Sequence, residues 1–148
     1  MLTLPPSKRG PLPTRGVTLT EPMPTVSILQ AITDAFNRHD LDAIMSFFAD
    51  DAVFLAPRGP EPVGRTFQSE AAVREGLAAR FSGIPDVHYG GDDHFVAGDR
   101  GASEWTLTGT TTDGLRLEVR GCDLWTFRDG LVVKKDSFWK IVEPPMDR

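Results

Sequence analysis

Residues 115–141, LRLEVRGCDLWTFRDGLVVKKDSFWKI, carry two apolar stretches joined at Arg128-Asp129-Gly130, and their reading decides the fold. In the first stretch Leu117, Val119, Gly121, Asp123, Trp125 and Phe127 alternate with Arg116, Glu118, Arg120, Cys122, Leu124 and Thr126. Successive side chains of a strand point to opposite faces, so the first set is the buried side. Asp123 is the one charge on it. An ionised carboxylate removed from water needs a partner, or it takes up a proton.

The turn offers that partner in one of two registers. A two-residue Asp129-Gly130 turn sets Asp123 opposite Asp136, whereas a three-residue loop with a glycine bulge sets it opposite Lys135. A slip of one residue turns the second strand over, so the apolar pattern chooses. The Lys135 register buries Leu131, Val133, Ser137, Trp139 and Ile141; the rival buries Lys134, Asp136 and Lys140. The Lys135 register is the expectation.

Working outward, Asp86 to Val142 reads as four strands, at about 86–97, 102–112, 115–127 and 131–142, separated by Gly98-Asp99-Arg100-Gly101, Asp113-Gly114 and the Arg128 turn. Before them the period is helical. Thr25 or Ser27 caps a helix to about Arg38, with Ile28, Ile32 and Phe36 on one stripe. Asp40 caps a second helix with Ile44, Phe47 and Phe48 inward, ended by Asp50-Asp51. Ala52–Ala56 is then a short strand and Pro57–Pro62 an irregular loop. Ser69 caps a third helix that carries Val73, Leu77 and Phe81 and stops at Ser82-Gly83. Helices first and an antiparallel meander after is the order of an α+β domain, spanning 25–143. Residues 1–24 hold six of the twelve prolines and read as a flexible tail, and 144–148 as a short C-terminal one.

The totals exclude several classes. A chain of 148 residues suits one domain with a real core. A net charge of -5 argues against nucleic acid or an anionic membrane as partner. One cysteine, Cys122, makes neither an internal disulfide nor a cysteine zinc cluster. No apolar run approaches the roughly 20 residues of a membrane span, and no apolar secretory core stands near the start. The expectation is a soluble cytoplasmic protein.

Asn37-Arg38-His39-Asp40-Leu41-Asp42-Ala43-Ile44, Phe48-Ala49-Asp50-Asp51-Ala52-Val53-Phe54 and Pro57, with Gly121–Gly130 and Phe138-Trp139, resemble the SnoaL-like and ketosteroid-isomerase-like branch of the nuclear transport factor 2-like superfamily. The resemblance covers about 25–142. It implies a cone-shaped curved antiparallel sheet wrapped by three N-terminal helices around a pocket, often as a homodimer. By position Asp123 matches the aspartic acid of the ketosteroid isomerase oxyanion hole, kept protonated in an apolar site so that it can donate. Trp139 matches a pocket tryptophan. The isomerase's proton-abstracting aspartate falls at Ala56, and the pocket carboxylate of SnoaL-type cyclases at Ser137. The oxyanion-hole tyrosine has no equivalent, since the single tyrosine is Tyr89.

The candidate catalytic residues are therefore Asp123 and Lys135. A nearby ammonium favours the carboxylate, which makes a base or anchoring role fit Asp123 better than proton donation. Trp105, Trp125 and Trp139 fall on the inner faces with Phe54 and Ser137, forming an aromatic-walled cavity for a flat apolar ligand. Arg58, in the proline-rich loop, stands at the mouth. His88 and His94 share strand parity, but six residues at ~3.3 Å each hold them roughly 20 Å apart, so no metal site is expected. The outer face mixes Glu118, Arg120, Asp136 and Lys140 with Cys122, Leu124 and Phe138, which suits a homodimer. The expected activity is cofactor-independent isomerisation, cyclisation, hydration or dehydration of a small hydrophobic or aromatic metabolite. The competing expectation is a non-catalytic ligand-binding or dimerisation module.

Overall fold

The computed structural model describes residues 23–144; the N-terminal tail to residue 22 and residues 145–148 lie outside the described residues. Three helices precede or interrupt a six-stranded sheet. They are α1 (Val26–Asn37), α2 (Leu41–Met45) and α3 (Glu70–Gly83). The strands are β1 (Phe48–Leu55), β2 (Thr66–Gln68), β3 (His88–Ala97), β4 (Arg100–Thr110), β5 (Arg116–Arg128) and β6 (Leu131–Trp139).

Each helix starts where a short polar side chain can take an orphan amide. Thr25 accepts from Ile28 N, Asp40 from Ala43 N and Ser69 from Ala72 N, at 3.2, 3.0 and 3.2 Å. The apolar stripe of α1, Leu29, Ile32 and Phe36, is buried against the sheet with Val73 and Leu77 of α3. No helix among the described residues is long and apolar enough to cross a membrane.

The sheet is curved and open, in the order β2-β1-β6-β5-β4-β3. Four neighbouring pairs are antiparallel, but β1 and β6 run parallel, so the sheet is not the purely antiparallel one expected. The reason is topological: β1 comes before α3, and its long connection lets it join the far edge of the meander in either sense.

Two further expectations fail nearby. The second helix ends at Met45, and β1 begins at Phe48 and runs through Asp50 and Asp51. Pairing with β6 overrides the acidic pair, because a register shift between Phe48 and Val53 turns both aspartates outward. The exposed Asp51 then meets Arg128 at 2.7 Å. The short edge strand β2 had no alternation long enough to betray it; Phe67 earns its place by stacking on Phe54, centroids 5.5 Å apart.

The decisive hairpin resolves in a third register. Asp129 and Gly130, at φ 53° and 80°, form the two-residue turn with Arg128 opposite Leu131. A shift between Thr126 and Phe127 then leaves Val133 as an extra residue on β6. Beyond it Trp125 faces Lys135 and Asp123 faces Ser137. The inward parity of Lys135, Ser137 and Trp139 is as expected, but the cross-strand partner of Asp123 is not Lys135. Because the bulge lies after the first pairs, Val132 is fully buried and Leu131 is 39% exposed, the reverse of the expected order, and Ile141 lies outside the sheet at 91%.

Candidate functional site

The concave face of the sheet holds a polar row. His94, Ser103, Asp123 and Ser137 are successive cross-strand partners on β3, β4, β5 and β6, and all four are buried. One flanking row is Trp105, Gly121 and Trp139; the other is Gly101, Trp125, Lys135 and Phe54. Polar groups in the middle of an apolar wall are tolerated only when hydrogen-bonded, and these are.

Asp123 is the centre. Its Oδ1 accepts from Lys135 Nζ at 2.7 Å and from Ser137 Oγ at 2.5 Å, and its Oδ2 accepts from Trp105 Nε1 at 2.9 Å. Lys135 Nζ also donates to Ser137 Oγ at 2.6 Å. Asp123 and Lys135 are each 5% exposed, so this is a buried ion pair whose loss of hydration is offset by these four hydrogen bonds. Three aromatic rings complete the shell of the ammonium: Phe54, Phe36 and Trp125, with centroids at 4.8, 5.4 and 5.5 Å. Burial pulls the Lys135 pKa below its usual value, and Asp123 opposes that shift.

Gly121 makes the Trp105 contact possible. A Cβ there would meet the Trp105 ring at 2.5 Å and the Phe138 carbonyl oxygen at 2.4 Å. The bare backbone lets the indole lie across β5 and aim its N–H at the carboxylate two residues on.

A second chain of bonds runs from the other end of the row. Trp125 Nε1 donates to Ser103 Oγ at 3.0 Å, Ser103 Oγ lies 2.8 Å from His94 Nδ1, and His94 Nε2 lies 2.8 Å from Asp92 Oδ2. Every group is satisfied when His94 carries its proton on Nε2 and accepts from Ser103 at Nδ1. Burial alone would raise the Asp92 carboxyl, but bonds from His94, its own backbone and Gln30 outweigh it and hold it below the usual carboxylate range.

His94 reaches this row because β3 bulges between Gly90 and Asp93, with Gly91 at φ 57°. The bulge breaks the shared parity expected of the histidines: Tyr89 and His94 face inward, and His88 is exposed. Among the described residues no cluster of three histidine, cysteine or acidic side chains is placed to hold a metal ion.

The space beside Asp123 is small. A cavity of about 10 Å³, at the threshold for one water molecule, is lined by Ile32, Thr33, Phe36, Tyr89, Trp105, Asp123, Trp125 and Lys135. A larger open groove of about 800 Å³ lies outside, lined by Pro57, Arg58, Leu115 to Val119 and Trp139 to Pro144.

Of the residues singled out from sequence, Asp123, Lys135, Ser137, Trp105, Trp125 and Phe54 come together. Trp139 and Arg58 do not join them, but border the groove. Trp139 is half-buried, at the end of β6 where the sheet gives way to the C-terminal segment.

Sequence reading missed the helical side of the cavity: Ile32, Thr33 and Phe36 from α1, and Tyr89, whose edge meets Trp105 with centroids 5.0 Å apart. It also missed Arg80, whose guanidinium lies 4.4 Å over the Trp139 ring. Arg80 follows Val73 by seven residues, on the same α3 stripe, and that spacing was the available signal. Burial pushes the Tyr89 hydroxyl up to about 12, with Arg80 opposing and Asp123 adding to the shift.

The family model described as a SnoaL-like domain matches residues 29–135. Among solved structures, a candidate polyketide cyclase from Pseudomonas putida superposes with a TM-score of 0.72 at 14% identity, covering 81% of this chain and 94% of that one. A candidate polyketide cyclase from Xanthomonas campestris pv. campestris gives 0.68 at 21% identity, with 77% and 88% covered. TerC, co-crystallised with polyporic acid, gives 0.67 at 21% identity, with 78% and 90% covered. No curated protein matches the chain in sequence. At these identities the structural likeness establishes the fold, which hosts many functions.

Proposed function

This chain belongs to the SnoaL-like domain family, and on that premise we propose that it is a cofactor-independent enzyme performing acid–base chemistry on a small apolar or aromatic metabolite. The observation that carries this reading is the Asp123 carboxylate. It is buried, it edges the cavity, and its Oδ2 accepts from Trp105 alone while Oδ1 holds both Lys135 and Ser137. A core that only packs gains more from apolar side chains of equal volume than from a buried ion pair. Buried charges with shifted proton affinities cluster at functional sites, and the lowered Lys135 beside Asp123 supports the reading.

In this reading Asp123 takes a proton from a substrate carbon or hydroxyl through Oδ2 and returns it at a second position. Isomerisation and cyclisation follow that pattern; in dehydration the returned proton leaves with the hydroxyl as water, in hydration the proton comes from an added water, and none of these needs an electron carrier. Lys135 keeps an ammonium beside the developing negative charge on substrate, and Ser137 holds Oδ1 in place. Trp105 and Trp125 wall the ring system. The likeness to TerC with polyporic acid supports a small-molecule ligand. Since the cavity has room for about one water, only the reacting edge of a ring-sized substrate comes to Asp123, and the larger groove bordered by Trp139 takes the rest.

The closed interior also favours a second reading, a ligand-binding or dimerisation module without catalysis. On the outer face Phe138 is 48% exposed beside Cys122 and Leu124, which supports a homodimer through that surface. Light scattering tests it, and a monomer at all concentrations removes it. We place the protein in the cytoplasm, in keeping with an acidic chain whose one cysteine is a free thiol.

A thermal-shift screen of a metabolite library followed by turnover assays separates the two readings. Positioned acid–base groups contribute about 10²–10⁴-fold in rate, so Asp123→Asn lowers turnover of a converted hit by that order. Hits that bind without conversion decide for the module, and turnover untouched by Asp123→Asn removes Asp123 from the chemistry.

A further inference from the structure

The described side chains around the cavity do not balance in charge. Asp123 and Lys135 cancel, and Arg80 adds a positive charge that they leave uncompensated. Arg80 stands on the sheet-facing stripe of α3, between the two spaces: Tyr89, which it faces, lines the interior cavity, and Trp139, which it covers, lines the groove. Among the described residues no carboxylate lies within ion-pair distance of it. A guanidinium stacked by its face on an indole keeps its N–H groups in its own plane, and those not turned to the Tyr89 hydroxyl can meet a carboxylate.

We propose that Arg80 is the specificity-determining residue of the site and that the ligand is an aromatic carboxylic acid, its carboxylate on Arg80 and its ring in the groove beside Trp139 and Leu117. This rests on the reading that the site takes a small ligand, and adds the class of that ligand. The groove supplies the rest of the fit. Leu115, Leu117 and Trp139 give it apolar walls, and Arg58 stands across the opening as a second cation. An aromatic acid bound there carries its charge to Arg80, beneath the Trp139 wall, and presents its ring edge toward the cavity that Asp123 borders; Arg116 and Lys140, with Glu118 and Glu143, also line the groove.

The test is calorimetric titration of the full chain with 1-naphthoate and with 1-naphthalenemethanol, which share a ring system and differ in charge. The acid binds more tightly than the alcohol. Arg80→Gln weakens naphthoate by about 10- to 100-fold, the loss expected for a charge-assisted hydrogen bond, and leaves the alcohol unchanged. Arg80→Lys, which keeps the charge and loses the planar N–H groups, falls between. Equal affinity for the two probes, or naphthoate binding unmoved by Arg80→Gln, overturns the assignment of Arg80 and leaves the pocket reading standing. Binding of neither probe overturns both.

Discussion

Lys135 reaches Asp123 across 2.7 Å from a strand position opposite Trp125, one cross-strand pair away from the carboxylate it holds. A diagonal contact of this kind needs a long side chain, and the lysine stem spans it while the ammonium stays among Phe36, Phe54 and Trp125. The direct partner, Ser137, is short enough to fit beneath and bond to both.

Removing either charge alone strands the other in the core. Asp123→Asn and Lys135→Met are each expected to lower stability by about 3–5 kcal/mol, and the double variant by much less than their sum. Urea denaturation of the four proteins measures the coupling. Additive losses would show that the pair is not a closed unit.

Tyr89 is the single tyrosine of the chain, so its titration is read directly from ultraviolet absorbance. The hydroxyl should stay protonated until about 12 in the folded protein. Its folded value is raised, so its contribution to stability is complete below the ordinary phenol value of 10.0 and is lost as pH climbs toward about 12. Over that interval the loss is roughly 3 kcal/mol. Lys135, whose value is lowered, acts in the opposite sense below 10.5, so the comparison is with Tyr89→Phe. A folded-state phenol ionising near 10 would refute the buried placement.

Gly121→Ala should cost about 1–3 kcal/mol, because the new methyl group meets backbone on one side and the Trp105 ring on the other. Near-ultraviolet circular dichroism should change as the indole leaves Asp123. Gly83, where a Cβ meets nothing, is the control and should be close to neutral on substitution by alanine.

Ser103→Ala deprives the buried Trp125 N–H of its acceptor and His94 of its partner. A loss of about 1–3 kcal/mol is expected, with faster exchange of the Trp125 indole proton by nuclear magnetic resonance. An indole proton exchanging at the same rate in both proteins would remove Ser103 from the row's support.

Alternation and capping made most of this molecule legible in one dimension. Thr25, Asp40 and Ser69 announced three helices because an N-cap is a local bond, formed within three residues of chain. The inward set on β5, with Asp123 at its centre, followed from a period of two that needs no partner strand to be read. The resemblance to SnoaL-like proteins drew on the same stretches, and the family match bears it out.

What tertiary structure alone decided is the coupling between elements. The extra residue at Val133, the bulge before Asp93 and the parallel joining of β1 to β6 are choices of register, set by packing across strands that lie far apart in sequence. Those choices placed Ser137 rather than Lys135 opposite Asp123, brought His94 and Tyr89 to one face, and laid Arg80 over Trp139. A periodic pattern records which side of a strand is greasy; it carries no record of which neighbour that side will meet, because that energy exists only once both surfaces have left water.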